Sequence, residues 1–219
     1  MSKYPVIVFE GIEASGKSTS LKKIIKYLKT NKIKYVSFRE PGGTNLSEKL
    51  RSLMLNKKSA LSNKTDLFLL MASRSENVDK ILKKNYKKKV ILIDRFIDST
   101  LAYQVYGKKV SLRFINNIHK QILGKIKPDI TFVLKVKKNS FLKRLRKRKT
   151  RNRYDNFPVK FYIKAQNAFI KLSRNKKDHI VLDSSENTTL LQKKIFKIIK
   201  NKIGTKRWTK IYIILIIIY

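Results

Sequence analysis

Gly11-Ile12-Glu13-Ala14-Ser15-Gly16-Lys17-Ser18 lies between an apolar run, Pro5–Phe9, and a helical pattern that opens at Lys17. It matches G-x-x-x-x-G-K-[ST], a loop that cradles nucleotide phosphates. The spacing has a chemical reason. Two glycines let the backbone wrap tightly, so successive N–H groups point inward at phosphate oxygens. Lys17 reaches the β and γ phosphates, and the Ser18 hydroxyl is placed for Mg²⁺. A helix starting near Gly16 aims its positive end at the same anion. Gly11, Ile12, Glu13, Ala14, Ser15, Gly16, Lys17, Ser18 and Thr19 are therefore the expected ATP-phosphate site. The motif implies phosphate binding but names no reaction.

Outward from the loop, short apolar runs alternate with helical patterns. Pro5–Phe9, Lys34–Phe38, Val90–Asp94, Ile130–Val136 and His179–Asp183 are rich in Val, Ile and Phe and read as strands buried on both faces. Lys17–Lys29, Leu46–Leu55, Thr65–Leu82, Leu112–Leu123, Ser140–Arg148, Lys160–Ser173 and Thr189–Ile203 read as helices. This alternation predicts an α/β, three-layer P-loop NTPase fold, with a central parallel five-stranded sheet flanked by helices. Its crossovers should be right-handed. No internal repeat or long linker interrupts residues 1–205, which read as one domain. Residues 206–219 read as an apolar extension, and the run Ile211–Tyr219 is far short of the roughly 20 residues of a membrane span.

The chain carries 53 Lys and Arg against 14 Asp and Glu, a net charge of +39. Taken alone, that charge indicates a nucleic-acid binder. Two features set this reading aside. The lysines are spread along the chain and not gathered in one stripe. The Lys-, Ile- and Asn-rich composition, poor in Gly and Pro, is what the codons of a very AT-rich genome produce. Specific nucleic-acid binding is not expected, although the field attracts polyanions such as ATP. The absence of cysteine excludes disulfides and Cys-based zinc sites and suits a reducing cytoplasm. The N-terminus shows no cleavable signal pattern.

Three stretches stand just past the carboxyl ends of expected strands, where open α/β sheets bind ligands. They are Phe9-Glu10-Gly11-Ile12-Glu13, Arg39-Glu40-Pro41-Gly42-Gly43-Thr44 and Asp94-Arg95-Phe96-Ile97-Asp98-Ser99-Thr100-Leu101-Ala102-Tyr103-Gln104. The Pro-Gly-Gly turn can bring backbone close to a ligand. Arg39, Arg74 and Arg95 should converge on one rim, which suits a dianionic monophosphate. With Met71-Ala72-Ser73-Arg74 and the basic run Arg144–Arg153, these stretches resemble the thymidylate kinase family in its bacterial form, over about Tyr4 to Asp183. The resemblance implies phosphoryl transfer from ATP to dTMP, giving dTDP and ADP for dTTP synthesis. It also implies Mg²⁺ as cofactor, a cytoplasmic location and a homodimer packed through helices.

The same resemblance implies roles for single residues. Arg95 would hold the dTMP phosphate, Arg74 the phosphate or base edge, and Arg39 would help at the acceptor phosphate. Asp94, with Ser18, would organise Mg²⁺ and the transferring group. Glu13 would sit near the acceptor sugar and the metal. Tyr103 would pack against the deoxyribose, and Thr100 and Gln104 would read the thymine edge. Pro41, Leu70 and Ser99 would complete the dTMP site. Three positions depart from the family's usual residues: Ala14 replaces glycine, Leu70 replaces a phenylalanine that stacks on thymine, and Lys135 replaces an acid. Phe68 cannot substitute for the missing ring, because two residues along a helix turn it to another face.

The basic run resembles the lid of the bacterial form, at about residues 144–156. The phosphate loop carries Glu13 and no arginine, so by this resemblance the lid supplies the cation that meets the moving phosphoryl group. Arg153, ahead of Tyr154-Asp155, is the first candidate and Arg148 the second; with Lys17, Asp94 and Arg39 they form the expected catalytic set. Adenine is expected to stack on lid residues and on Ser184-Ser185-Glu186. Competing readings are a related P-loop kinase with another acceptor, a nucleic-acid-binding ATPase, and a homologue that kept the fold and lost the activity.

Overall fold

Five strands, β1 (Val6–Glu10), β2 (Tyr35–Arg39), β3 (Val90–Asp94), β4 (Ile130–Lys135) and β5 (His179–Asp183), pair in parallel in the order β2-β3-β1-β4-β5. The structure is a computed structural model and describes residues 4–147, 152–185 and 188–203. Helix α1 (Lys17–Thr30) joins β1 to β2. Between β2 and β3 come α2 (Asn45–Leu55), α3 (Asn63–Asn77) and the short α4 (Lys83–Asn85). Between β3 and β4 come α5 (Ile97–Thr100) and α6 (Leu112–Leu123), and between β4 and β5 come α7 (Lys138–Arg146) and α8 (Val159–Ser173). Helix α9 (Thr188–Ile203) follows β5.

The period-2 alternation of β1 decides the layers. Ile7 and Phe9 face α1 and α9, packing with Leu21, Ile24, Leu28, Leu191, Ile195 and Ile199. Val6 and Val8 face the other way, onto Val78, Leu82 and Leu123. Every position of β1 is buried, including Glu10. That carboxylate accepts from the backbone N–H of Phe96 and Ser99 and from the Ser99 hydroxyl, so the central strand caps the start of α5. The sheet and its flanking helices are the α/β three-layer fold expected of a phosphate-loop NTPase.

Three local features differ from the sequence expectations. The pattern over Thr65–Leu82 is two pieces: α3, then a π-helical turn at Val78–Leu82. Ile97–Gly107 is also helical, as α5 continued by a π-helical turn at Leu101–Gly107. No apolar stripe marks it, because Leu101, Ala102, Tyr103 and Gln104 are all buried, toward different neighbours. Lys135 is not in a buried strand end. Its side chain is 45% exposed, and its Nζ lies 3.7 Å from Asp183, its register partner on β5. Arg148 and residues 206–219 lie outside the described residues.

Candidate active site

The loop after β1 is built by backbone. Gly11 has φ 135°, and a Cβ there would lie 2.5 Å from the Leu134 carbonyl oxygen, so only glycine fits. Gly16 begins α1 with no side-chain cap, which leaves the first amides of the helix for an anion. Ala14 takes the left-handed conformation at φ 54°. Lys17 is buried, and its Nζ donates to the carbonyls of Gly11 at 3.0 Å and Ile12 at 2.7 Å. Burial, and then the neighbouring Arg95 charge, push its ammonium down to about 8. Ser18 and Thr19 are exposed in the first turn. The Ser18 hydroxyl donates to Asp94 Oδ2 at 3.1 Å, and Asp94 Oδ1 is buried with no hydrogen-bond partner. Hydroxyl and carboxylate oxygens are the hard ligands that Mg²⁺ prefers.

Arg95 follows Asp94 and turns the other way. Its φ is 68°, a left-handed conformation uncommon outside glycine. Its Nη1 donates to the Gly11 carbonyl at 2.9 Å and its Nη2 to Glu13 Oε1 at 2.8 Å. The other Glu13 oxygen accepts from the Tyr103 hydroxyl at 2.5 Å, and the Arg95 guanidinium lies over the Tyr103 ring. Burial would raise the Glu13 pKa, but Arg95, Lys17 and the Tyr103 hydroxyl together hold it below the usual carboxylate range. Glu10 behaves oppositely. Burial first, and then the Asp98 charge, push it up to about 7.

Beyond Arg95 the cleft is lined by Leu70, Arg74, Thr100, Tyr103 and Gln104, together with Arg39 and Pro41. Arg74 is 1% exposed and fully engaged. It pairs with buried Glu40 at 2.7 Å and donates to Thr100, to the Phe96 carbonyl and to His119 Nε2. Because arginine can only donate, His119 accepts there and carries its proton on Nδ1. Burial, and then the Arg74 charge, hold the imidazole down to about 3, so it is neutral at ordinary pH. Arg39 is half exposed and pairs with Glu48 at 3.0 Å. Leu70 is buried against the cleft, whereas Phe68 is 52% exposed and packs edge-on against Phe114.

The basic segment divides. Arg144 on α7 donates to the Ala14 carbonyl of the phosphate loop and to the Ser184 and Ser185 carbonyls. Arg153 does not stand at that loop. Its guanidinium pairs with Asp66 near the start of α3, as do Lys108 and the Tyr154 hydroxyl.

The thymidylate kinase family model matches residues 9–195 of this sequence. The chain belongs to the thymidylate kinase family. A thymidylate kinase of Wolbachia pipientis wMel is 39% identical over 170 residues, 76% of this chain and 84% of that protein. One of Kosmotoga olearia is 33% identical over 193 residues, 87% of this chain and 93% of that protein. The crystal structure of thymidylate kinase from Ehrlichia chaffeensis superposes with a TM-score of 0.73 at 29% identity, covering 90% of this chain and 98% of that one. Membership makes the chain a phosphotransferase. The reaction of the thymidylate kinase family is transfer from ATP to dTMP, and the competing readings are not favoured.

Against the thymidylate kinase pattern, sequence reasoning missed four polar residues that organise the cleft: Glu40, Asp66, His119 and Arg144. Glu40 stood inside a quoted motif without a role. Arg144 was one cation among many. Asp66 and His119 carried no signal, since a lone acid or histidine on a helix reads as surface until its partner is known.

Proposed function

We propose that the cleft phosphorylates dTMP with the residues just described, and that residues 1–205 act as one catalytic domain. The observation that carries this reading is the Asp94-Arg95 pair. Asp94 meets the phosphate loop at Ser18, while Arg95 meets it at Gly11 and Glu13 and lies over the Tyr103 ring. In this reading two anion sites stand side by side. Arg95, with Arg39 at the rim, holds the acceptor phosphate, while Lys17 and the loop amides hold the donor. An oxygen of the acceptor phosphate forms the new bond to the γ-phosphorus as the bridging bond breaks, and that electron pair leaves with ADP. Catalysis is then chiefly positioning and charge neutralisation.

The Ser18 hydroxyl and the Asp94 carboxylate are hard oxygen ligands that fit Mg²⁺, and Asp94 Oδ1 has no hydrogen-bond partner. Among the described residues no cluster of three or more His, Cys, Asp or Glu could hold a metal; in this reading the ion is held mainly by substrate phosphates. When bound, the ion supplies charge neutralisation at the phosphates. Tyr103 bounds the sugar side, and Leu70, Thr100, Gln104 and Ser99 complete the acceptor site.

The lid supplies the donor-side cation in this reading. Arg153, the first candidate, must leave Asp66 to take that part; Arg148 is the alternative. Among the described residues no helix is long and apolar enough to cross a membrane. A cytoplasmic homodimer completes the proposal. The deciding experiment is an acceptor screen with purified protein and ATP, comparing dTMP with dUMP, dCMP, dGMP and thymidine. Preferred phosphorylation of dTMP is expected, and preference for any other acceptor overturns the assignment.

A further inference from the structure

Asp66 takes no part in the transfer, yet it is fully buried and ionisable. Its Oδ2 accepts from Lys108 Nζ at 2.5 Å, from the Tyr154 hydroxyl at 2.9 Å and from Gln104 Nε2 at 3.1 Å. Its Oδ1 accepts from Arg153. Burial would raise its pKa, but Lys108 and the hydrogen bonds outweigh that and hold the carboxyl below its usual range. A carboxylate bound by two cations is ionised and has no proton to give. The Gln104 amide can therefore face it only through its NH₂ group.

That constraint fixes the other end of the amide. Gln104 is 1% exposed and lines the cleft beside Thr100 and Tyr103, and its Oε1 is buried with no hydrogen-bond partner. A buried acceptor left unmatched is costly, so a ligand that brings a donor is favoured there. We infer that Asp66 is a positioning residue for base selection: it locks the Gln104 amide so that the site offers an acceptor, and the incoming base must supply a ring N–H.

The inference rests on the reading that Gln104 meets the base of dTMP. It adds a chemical rule to it. Thymine and uracil carry N–H at ring position 3, whereas cytosine carries a lone pair there. Against cytosine, Oε1 would stay unpaired and face a second lone pair. The preference is worth about ten- to a hundredfold in affinity. The device passes uracil as readily as thymine, so the methyl group must be read by something else.

Binding of dTMP, dUMP and dCMP to the purified full chain, measured by calorimetry, tests this. Wild type should prefer dTMP to dCMP. Asp66→Asn removes the charge and can pair with either end of the Gln104 amide. Its dTMP-over-dCMP preference should fall about tenfold or more, with the dTMP-to-dUMP ratio unchanged. Asp66→Glu should restore the preference. Gln104→Met should lose it equally, and the Asp66→Asn/Gln104→Met double variant should lose no more. A merely structural Asp66 would lower thermal stability and leave the preference alone.

A folded Asp66→Asn protein with wild-type preference overturns the inference, as does a wild type that binds dCMP as tightly as dTMP. If Asp66→Asn does not fold, an unchanged preference in Gln104→Met overturns it. Failure of the kinase reading looks different, since no ADP would form with dTMP while the binding preference stood.

Discussion

The two ends of the cleft hold charge by different means. At the phosphate end the framework is backbone: glycines at left-handed angles, uncapped amides of α1, and a lysine folded back onto loop carbonyls. Its rim arginine, Arg39, is half exposed on a surface pair with Glu48. At the end proposed for the base the framework is side chains. Arg74 and Glu40 are each 1% exposed, and Asp66 gathers Lys108, Arg153, Tyr154 and Gln104. Phosphate looks the same on every nucleotide, so amides and mobile cations suffice for it. A base is told from another base by which atoms donate, and that requires buried groups whose orientation cannot change.

The largest effect should come from the phosphate end. Lys17→Ala should reduce turnover to background in a protein that still folds, because Lys17 is the buried cation seated inside the loop, whereas Arg95 and Arg144 contact it from outside. Near-normal turnover would break the loop assignment. The base end should respond in stability. Arg74→Ala strands buried Glu40 and should cost about 3–5 kcal/mol in urea unfolding. Arg39→Ala, losing an exposed pair, should stay within about 1 kcal/mol. Similar costs for the two would erase the contrast.

The lid sharpens the comparison, since its arginines serve one end or the other. With Arg153 kept at Asp66, Arg148→Ala should lower kcat roughly a hundredfold, the neighbouring lid cations softening the roughly 10³–10⁵ that an arginine in this role contributes. Arg153→Ala, tied to Asp66, should instead raise the KM for dTMP several-fold. The reverse pattern would return the donor role to Arg153. Arg95→Ala should raise the KM for dTMP about ten- to a hundredfold, with little change for ATP. Equal effects on both substrates would place it between the two ends. Ala14→Gly also belongs at the small end: it relieves a left-handed alanine but loosens the unfolded chain, and should stabilise by less than about 1 kcal/mol in the same unfolding assay.

The same contrast decides how much was legible in the sequence. Backbone function leaves a local signature, since a loop that wraps phosphate needs glycines at fixed spacing next to a strand and a helix. Val6–Glu10, Lys17–Thr30 and the loop between them could be read within one or two residues. Side-chain networks leave none. Arg74 meets His119 across 45 positions, and Asp66 meets Arg153 across 87. Their meaning resides in the pairing, which a single sequence does not carry. Ile97–Gly107 was opaque for a related reason. A helix buried on several sides shows no stripe, and the π-helical turn shifts its register.

The left-handed turn at Arg95 has a geometric consequence. It sends two successive side chains, Asp94 and Arg95, to different points on the phosphate loop: Asp94 to Ser18, Arg95 to Gly11 and Glu13. In the proposed reaction Asp94 serves the metal on the donor side and Arg95 the acceptor phosphate. Their α-carbons are a single peptide unit apart, about 3.8 Å. Covalent bonds set that spacing, so the roots of the two side chains keep their separation when helices shift or the sheet breathes. Only the side-chain torsions remain to adjust the gap between the two groups they serve.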